Sequence, residues 1–270
     1  MSDQYKETIK KITEFVKSKT TLSHRQFISK KQNKTPEIPM IIFQSWHSQH
    51  LPPKMFRCVE KLKRENPEFL YFLFDDDACR ELIKQHFHKS VLGAFDRLLP
   101  GQYKCDLWKY CVLYVYGGVY LDMKYQCANG FRLHDVVDKE YMVLERPGFW
   151  SNNTYGIYNG FMVSKPHNPL LMRCINQVVR NVNSKNMGHG SLYPTGPGLL
   201  GTEYFGNINK NWQKIHGFEF FFRPDAEDQI VHNNVVVLKS YPEYRSEQRR
   251  TQKTTHYSIS WEKGVGHVYK

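Results

Sequence analysis

The stretch Tyr103–Tyr125, YKCDLWKYCVLYVYGGVYLDMKY, predicts a buried helix that is followed directly by a buried strand. Apolar side chains occupy nearly every face of residues 104–116, which is typical of a helix that is buried all round. Gly117 and Gly118 follow, and a glycine just past the last turn can adopt the backbone conformation that ends a helix. Residues 119–121 are β-branched, aromatic or aliphatic and favour a short interior strand. The fold should therefore be built around this helix and strand.

Four charged residues interrupt or follow this apolar stretch. Asp106 and Lys109 are three positions apart, which puts them on one face of the helix. Asp122 and Lys124 come directly behind the strand. Buried charges are costly unless they are paired or bind something. Two interpretations stay open: an internal Asp–Lys pair that fixes packing, or a cluster of all four around a polar ligand. In open α/β sheets, ligands bind at the carboxyl ends of the strands.

The same stretch resembles the core of the family 32 glycosyltransferases, which carry the DXD sugar-binding region. That family includes the yeast initiating α-1,6-mannosyltransferases, and the large clostridial glucosylating toxins share its core motifs. The family pattern is A-D-hydrophobic-hydrophobic-R-Y, then Y-G-G-hydrophobic-Y-hydrophobic-D-x-D. The chain has CDLWKY at residues 105–110 and YGGVYLDMK at residues 116–124. Lys109 stands where the family has Arg, and Lys124 stands where it has the second Asp. The resemblance implies an α/β protein of GT-A type, with a mixed central sheet flanked by helices that binds a nucleotide sugar.

The beginning of the family domain is also recognisable. IPMIIFQSW, residues 38–46, resembles the opening I-P-K-I-I-H-Q-x-W and predicts the first strand at residues 38–44. In the related toxins an aromatic residue near this point stacks on the nucleotide base. By this resemblance Phe43 and Gln44 are candidates for donor binding, and a core position is the alternative for Phe43.

Three later segments resemble the family as well. Asn159, in GIYNGFMVS, is a candidate for hydrogen-bonding the donor sugar, and an ordinary turn is the alternative. The Thr-Gly-Pro loop at residues 195–197 suits close approach of the backbone to a ligand, or is a plain connector. The tail has His256, Ser260 and Trp261 in the spacing H-x-x-x-S-W. In related enzymes this tail closes over the diphosphate. A surface His beside a packed Trp is the alternative.

The resemblance assigns roles to the central residues. Asp122 would contact the sugar and ribose, and Tyr120 would line the same donor site. Asp106 would bind sugar hydroxyls. Lys109 would provide a single ammonium group where the family's arginine provides a guanidinium group with paired N–H donors. The leaving diphosphate must be neutralised, and Mg²⁺ or Mn²⁺ held by oxygen ligands usually does this. The family retains the anomeric configuration, which indicates a front-face mechanism.

Lys124 affects the expected metal binding, because an ammonium group stands where the family has a carboxylate and cannot ligate a cation. Metal-independent transfer, a metal held by Asp122 and His256 alone, and a weakened enzyme all stay open. We expect weakened but retained binding of Mn²⁺ or Mg²⁺, since Asp122 and His256 are both in place.

Secondary-structure signals place these motifs in one domain, residues 38–270. Strands are predicted at residues 69–74, 141–144 and within 156–164. Helices are predicted at residues 52–65, 90–98 and 166–182. A further helix is predicted to begin after Asp75, the first residue of the acidic triple 75–77, which can serve as its N-cap. Residues 1–37 form a basic extension with an amphipathic helix in 1–20 and a polar linker.

Composition supports a globular protein, with 40% hydrophobic and 14% aromatic residues among 270. The net charge is +12. Residues 1–36 contain nine basic and three acidic residues, a net charge of +6. Residues 239–270 contain seven basic and three acidic residues, a net charge of +4. Basic ends could contact anionic surfaces weakly, or they are solvated surface. The six cysteines form no metal spacing and are expected as reduced core thiols. Without an apolar leader or an 18-residue apolar run, a soluble cytoplasmic protein is expected.

The function that these observations favour is a retaining glycosyltransferase that moves a hexose from a UDP-sugar to a glycan or protein acceptor. GDP-mannose is the alternative donor. A sugar-nucleotide-binding protein without turnover is a second class, which the DMK sequence at residues 122–124 suggests. Nucleic-acid binding is a third class that only the basic ends favour, because no aromatic RNA-reading motif accompanies them.

Overall fold

The computed structural model describes residues 36–146, 156–206, 217–224 and 226–270, together with Lys10 and Glu14. The predicted amphipathic helix at residues 1–20 and the linker after it lie almost entirely outside these residues. In the described part of the chain, no helix has both the length and the apolar character needed to cross a membrane.

Within the described residues, nine strands form one mixed sheet in the order β2-β1-β3-β6-β5-β7-β8-β9-β4. The strands are β1 (Ile41–Ser45), β2 (Leu70–Phe74), β3 (Gly118–Leu121), β4 (Tyr125–Cys127), β5 (Tyr141–Glu145), β6 (Ile157–Ser164), β7 (Phe218–Phe221), β8 (Gln229–His232) and β9 (Val235–Ser240). Strand β1 pairs in parallel with β2 and β3, and β5 with β7. The other pairings are antiparallel. The predicted mixed sheet is confirmed.

Helices cover the sheet. They are α1 (Pro53–Glu65), α2 (Asp76–His86), α3 (Lys89–Arg97), α4 (Gly101–Tyr116), α5 (Pro169–Ser184), α6 (Pro197–Phe205), α7 (Tyr244–Thr251), α8 (Tyr257–Glu262) and α9 (Val265–Val268), and a 3₁₀ turn spans Leu133–Val136. The predicted capping role of Asp75 is confirmed, since its Oδ1 accepts a 2.9 Å hydrogen bond from the backbone N–H of Ala78. This bond satisfies a donor that would otherwise be unpaired at the start of α2.

The sheet curls so strongly that its last strand returns to its third. Only Asp122, Met123 and Lys124 separate β3 from β4 in the chain, although these strands are third and ninth in the sheet. Three residues reach little more than about 10 Å even when extended. The edge strand β4 must therefore lie close to the end of β3, and the three connecting residues lie where the two ends of the sheet meet.

Helix α4 is the buried element that the sequence predicts. It begins three residues earlier than expected and ends at Tyr116, where Gly117 follows with a φ of 64°. A side chain at Gly117 would also collide with the ring and backbone nitrogen of Pro166. Gly117 therefore allows the chain to turn at the end of α4, and it leaves room for Pro166 in the segment between β6 and α5.

The two faces of the sheet carry separate cores. In β1, Ile41 and Phe43 pack with α4 on one side, and Ile42 packs on the other side with Val119 and Leu121. This alternation is the normal consequence of the two-residue repeat of a strand. None of the six cysteines is in a disulfide bond, and five of them are buried.

Candidate active site

A large cavity of about 1430 Å³ opens where β3 ends, next to the junction of the sheet ends. Its volume exceeds the range of about 300–1,000 Å³ that is usual for small-molecule sites. The cavity is lined by residues of α4, of the β3–β4 connection, of β6 and of the last 30 residues of the chain. Each of Asp106, Lys109, Asp122 and Lys124 contributes to this lining. The structure thus brings together the four charges that the sequence singles out.

Asp106 and Lys109 form a buried ion pair on the cavity side of α4. Lys109 Nζ lies 3.1 Å from Asp106 Oδ1 and 3.8 Å from Asp122 Oδ1. The Asp106 carboxylate also accepts hydrogen bonds of 2.9 Å from Asn159 Nδ2 and 2.8 Å from Thr195 Oγ1. A carboxylate offers about four lone-pair sites, so these three contacts leave about one for a ligand.

The pKa values of this pair follow from burial and from the neighbouring charges. Burial raises the pKa of the Asp106 carboxyl, although the Lys109 ammonium and the hydrogen bonds oppose that shift. Burial alone would lower the pKa of Lys109, but the acidic groups of Cys105, Asp106 and Asp122 raise it above its ordinary value. Lys109 is therefore a permanent cation. Its ammonium also lies 4.4 Å from the centre of the Tyr120 ring, which favours the charge further.

Asp122 is the more accessible of the two central carboxylates, with 29% of its side chain exposed. The Tyr120 hydroxyl donates a 2.9 Å hydrogen bond to Oδ1, and the Tyr158 hydroxyl donates one of 3.3 Å to Oδ2. The backbone N–H of Asp122 donates to the carbonyl of Gly160 on β6. The carboxylate is held in place and retains free lone pairs, as a group that accepts hydrogen bonds from sugar hydroxyls requires.

Gly160 makes this arrangement possible. A Cβ atom at position 160 would lie 2.5 Å from Asp122 Oδ2 and would also collide with the Tyr158 hydroxyl. The Asn159–Gly160 pair is therefore not a turn: it lies inside β6, where Asn159 supports Asp106 and Gly160 leaves room for Asp122.

Lys124 is bound to an acid that the sequence analysis did not identify. Its Nζ lies 2.8 Å from Asp228 Oδ2, and Asp228 Oδ1 lies 2.5 Å from Arg245 Nη2. The Lys124 ammonium also lies 5.1–5.8 Å from the ring centres of four aromatic residues, namely Tyr125, Tyr158, Phe220 and Tyr244. All three members of this Lys124–Asp228–Arg245 cluster line the cavity.

The C-terminal tail borders the same cavity through His256 and Trp261, whereas Ser260 does not line it. His256 is the N-cap of α8, and its Nδ1 lies 2.8 Å from Ser258 Oγ. Burial and the charge of Lys124 lower the pKa of His256, which favours the neutral imidazole. Trp261 Nε1 donates to the carbonyl of Met187 and ties the tail to the loop after α5.

Two candidates from the first strand are not brought to the cavity. Phe43 is fully buried and packs against Phe72 and Tyr116, so its ring cannot stack on a nucleotide base. The core alternative for Phe43 is therefore correct, because odd-numbered residues of β1 face α4. Gln44 is also fully buried, and its Nε2 donates to the carbonyls of Leu121 and Asp122. It positions the end of β3 and does not contact the cavity itself.

The side chains that could ligate a metal ion in this cavity do not fit a divalent cation well. In the residues that the structure describes, no three His, Cys, Asp or Glu side chains are grouped so that they could hold a metal ion. Asp106 and Asp228 are paired with Lys109 and with Lys124 and Arg245. Asp122 and His256 border the same cavity, but the Lys124 ammonium repels a cation placed near them.

Sequence reasoning missed several residues of the cavity wall. They are Glu145, Tyr158, Asp228, Tyr244 and Arg245. Glu145 ends β5, and burial raises its pKa to about 7 against the opposing charge of Arg146. A charged residue directly after the apolar run 141–144 was a signal for Glu145. Asp228 carries no such signal, because its partner Lys124 lies 104 residues away in the sequence. Arg245 binds Asp228, so its place in the cluster depends on that same long-range contact.

Parts of the chain are similar to known proteins. Residues 52–144 match the family model described as "Glycosyltransferase sugar-binding region containing DXD motif". Inositol phosphoceramide mannosyltransferase 3 of Schizosaccharomyces pombe is 28% identical over 197 residues, which cover 72% of this chain and 49% of that protein. The initiation-specific α-1,6-mannosyltransferase of Candida albicans is 23% identical over 250 residues, covering 74% of this chain and 63% of that protein.

The chain spans about half the length of the first of these relatives. Among solved structures, the PaToxG glycosyltransferase aligns with a TM-score of 0.48 and 13% identity, over 78% of this chain and 81% of that one. The match to the family model confirms, for residues 52–144, the resemblance that the motifs indicate.

Proposed function

We propose that this chain, whose residues 52–144 match the family model of the glycosyltransferase sugar-binding region, is a glycosyltransferase of GT-A type. It would move a hexose from a nucleotide sugar to a hydroxyl group of a glycan or other acceptor. The observation that carries the proposal is the convergence of Asp106, Lys109 and Asp122 at the end of β3, on the wall of a cavity of about 1430 Å³.

Each of these residues has a role that its contacts support. Asp122 accepts hydrogen bonds from the hydroxyls of the donor's sugar and ribose, because its carboxylate is fixed and partly exposed. Asp106 accepts from one sugar hydroxyl through its remaining lone pair. Lys109 offsets the charge of the two carboxylates and holds them close together, since its Nζ lies 3.1 Å from Asp106 Oδ1 and 3.8 Å from Asp122 Oδ1. Trp261 and His256 contribute to the wall of the same cavity.

The reaction exchanges one bond at the anomeric carbon. The bond from that carbon to the diphosphate oxygen breaks, and its electron pair leaves with the diphosphate. The acceptor oxygen bonds to the same face of the carbon, and its proton passes to the departing phosphate oxygen. This route retains the anomeric configuration. It is favoured by the family resemblance and by the engagement of the buried acids Glu145 and Asp228 with basic partners, which makes them poor nucleophiles.

The sequence analysis favours a UDP-hexose as the donor, with GDP-mannose as the alternative. The relatives named as mannosyltransferases favour mannose as the transferred sugar. The buried position of Phe43 removes the residue that was expected to contact the base, so the choice between uracil and guanine depends on other groups of the cavity.

The test is release of free nucleoside diphosphate from a panel of UDP- and GDP-sugars, followed by NMR assignment of the product anomer. We expect release from one donor, GDP-mannose above all, and an anomer of the same configuration as in the donor. The Asp106→Asn variant, which keeps the shape of the side chain, is the control for contaminating hydrolases. Absence of release with donor binding intact would make the chain a sugar-nucleotide-binding protein, and absence of both would contradict the proposal.

A further inference from the structure

We infer that this chain neutralises the donor's diphosphate with a fixed cation of its own, the Lys124–Asp228–Arg245 cluster, and holds no divalent metal ion for that purpose. The inference rests on the proposed function, because it concerns the diphosphate of the same donor. It reverses the expectation of weakened metal binding at Asp122 and His256.

The cluster carries one net positive charge on the cavity wall. Lys124 and Arg245 are bound to opposite oxygens of a single carboxylate, at 2.8 and 2.5 Å. The backbone N–H of Arg223 donates to Asp228 Oδ1 as well. Asp228 is therefore occupied as a hydrogen-bond acceptor and is not available to ligate a metal. Two cations and one anion leave a charge of +1 that faces the cavity.

The position of this charge is fixed before any donor binds. Lys124 is 9% exposed and lies among four aromatic rings, which limit the rotamers that its side chain can adopt. Its carbonyl accepts a 2.8 Å hydrogen bond from the backbone N–H of Tyr241. A preorganised cation stabilises charge that develops on a leaving group without rearranging during the reaction. Lys124 and Arg245 are accordingly the groups that donate N–H hydrogen bonds to the diphosphate as the glycosidic bond breaks.

The same geometry opposes a divalent cation. Lys124 follows Asp122 by two residues and lines the same cavity, so its ammonium would repel a doubly charged ion bound at Asp122. The other acids on the wall are held by basic partners: Asp106 by Lys109, and Glu145 by Arg146. The described residues thus offer a cationic diphosphate site where the DXD motif has a carboxylate.

Calorimetric titration of UDP and GDP into the full chain, in EDTA and in Mn²⁺, tests the inference. We expect the Kd of the preferred nucleotide in EDTA to lie within about threefold of the value in Mn²⁺. Lys124→Met and Arg245→Met each remove one charge but leave Asp228 with its other partner, so folding should be preserved. Each variant should weaken binding by about 10- to 100-fold, as expected for the loss of a charged hydrogen bond.

Lys61→Met is the matched control, because it removes a lysine that binds Gln126 and does not line the cavity. It should leave the Kd unchanged. Electron paramagnetic resonance with Mn²⁺ alone provides a second readout: Lys124→Asp should bind Mn²⁺ at least about tenfold more tightly than the native chain. Nucleotide binding that disappears in EDTA would overturn the inference and leave the proposed function intact. Failure of every nucleotide and nucleotide sugar to bind, with or without Mn²⁺, would contradict the proposed function itself.

Discussion

Asn159 Nδ2 donates a 2.9 Å hydrogen bond to Asp106 Oδ1, which joins the middle of β6 to the cavity side of α4. Both residues are largely buried. The amide therefore replaces water as a partner of the carboxylate, and it orients Asp106 toward Lys109. The contact therefore links strand β6 to helix α4 next to the buried Asp106–Lys109 ion pair.

Loss of this contact should weaken the fold. Asn159→Ala leaves the buried Asp106 carboxylate without one donor, and we expect the free energy of unfolding to fall by about 2 kcal/mol. Urea denaturation measures it. A double-mutant cycle with Asp106→Ala, which removes the acceptor oxygen, isolates the pair, and a coupling energy within about 0.3 kcal/mol of zero would contradict the described contact.

Gly160→Ala should damage donor binding. The new methyl group would push Asp122 Oδ2 and the Tyr158 hydroxyl out of position, so we expect the Kd of the donor to rise at least about tenfold. Gly93→Ala is the matched control, because a Cβ at that site in α3 meets no atom within 4 Å. It should leave binding unchanged and stabilise the helix by up to about 1 kcal/mol. Equal donor affinities in both variants would show that Gly160 does not set the position of Asp122.

Glu145 should make stability depend on pH. Burial raises the pKa of Glu145 from 4.5 to about 7, so the folded chain binds more protons than the unfolded chain between these values. Stability therefore falls as pH rises through this window, by roughly 3 kcal/mol in all. Glu145→Gln removes that loss. In urea denaturation from pH 4 to pH 8, the free energy of unfolding of the native chain should fall relative to that of the variant by most of this amount. Parallel pH profiles of the two proteins would refute the assignment.

Phe43 should contribute to stability and leave donor affinity unchanged. Its ring packs between Phe72 and Tyr116 in the core, and Phe43→Leu should lower the free energy of unfolding by about 1–2 kcal/mol. The Kd for the donor should stay within about twofold. A ring that stacked on the nucleotide base would instead contribute about 1–3 kcal/mol to binding, so a tenfold loss of affinity would restore the base-stacking role.

Local sequence patterns were sufficient to predict the centre of the fold. The apolar faces of residues 104–116, the two glycines after them and the strand at 119–121 depend on neighbours within a few positions, and the structure has each of them. The position of Phe43 was also encoded locally, since Ile41 and Phe43 share one face of β1 and Ile42 the other. The two-residue repeat assigns Phe43 to the same face as Ile41, which packs against α4.

Long-range pairing set the limit of prediction. Lys124 meets Asp228 and Arg245 only because the sheet curls until β4 pairs with β9. Strands β7 and β8 are short and partly exposed, and polar residues interrupt or flank their apolar residues. Strand β9 does have an apolar run, residues 235–238, but that run does not indicate which strand it pairs with. The partner of the unusual lysine in the DMK sequence therefore depended on topology, which residue spacing does not encode.

The most direct measurement is the rate of nucleoside diphosphate release by the native chain and by Asp122→Asn, with the preferred donor at saturation. The substitution keeps a hydrogen-bond acceptor for Tyr120 and removes the charge, so unfolding free energies should agree within about 1 kcal/mol. We predict that release slows by about 100-fold or more, because Asp122 holds the sugar at the reacting bond. A rate within twofold of the native value, in a folded variant, would contradict the assignment of this cavity as the glycosyl-transfer site.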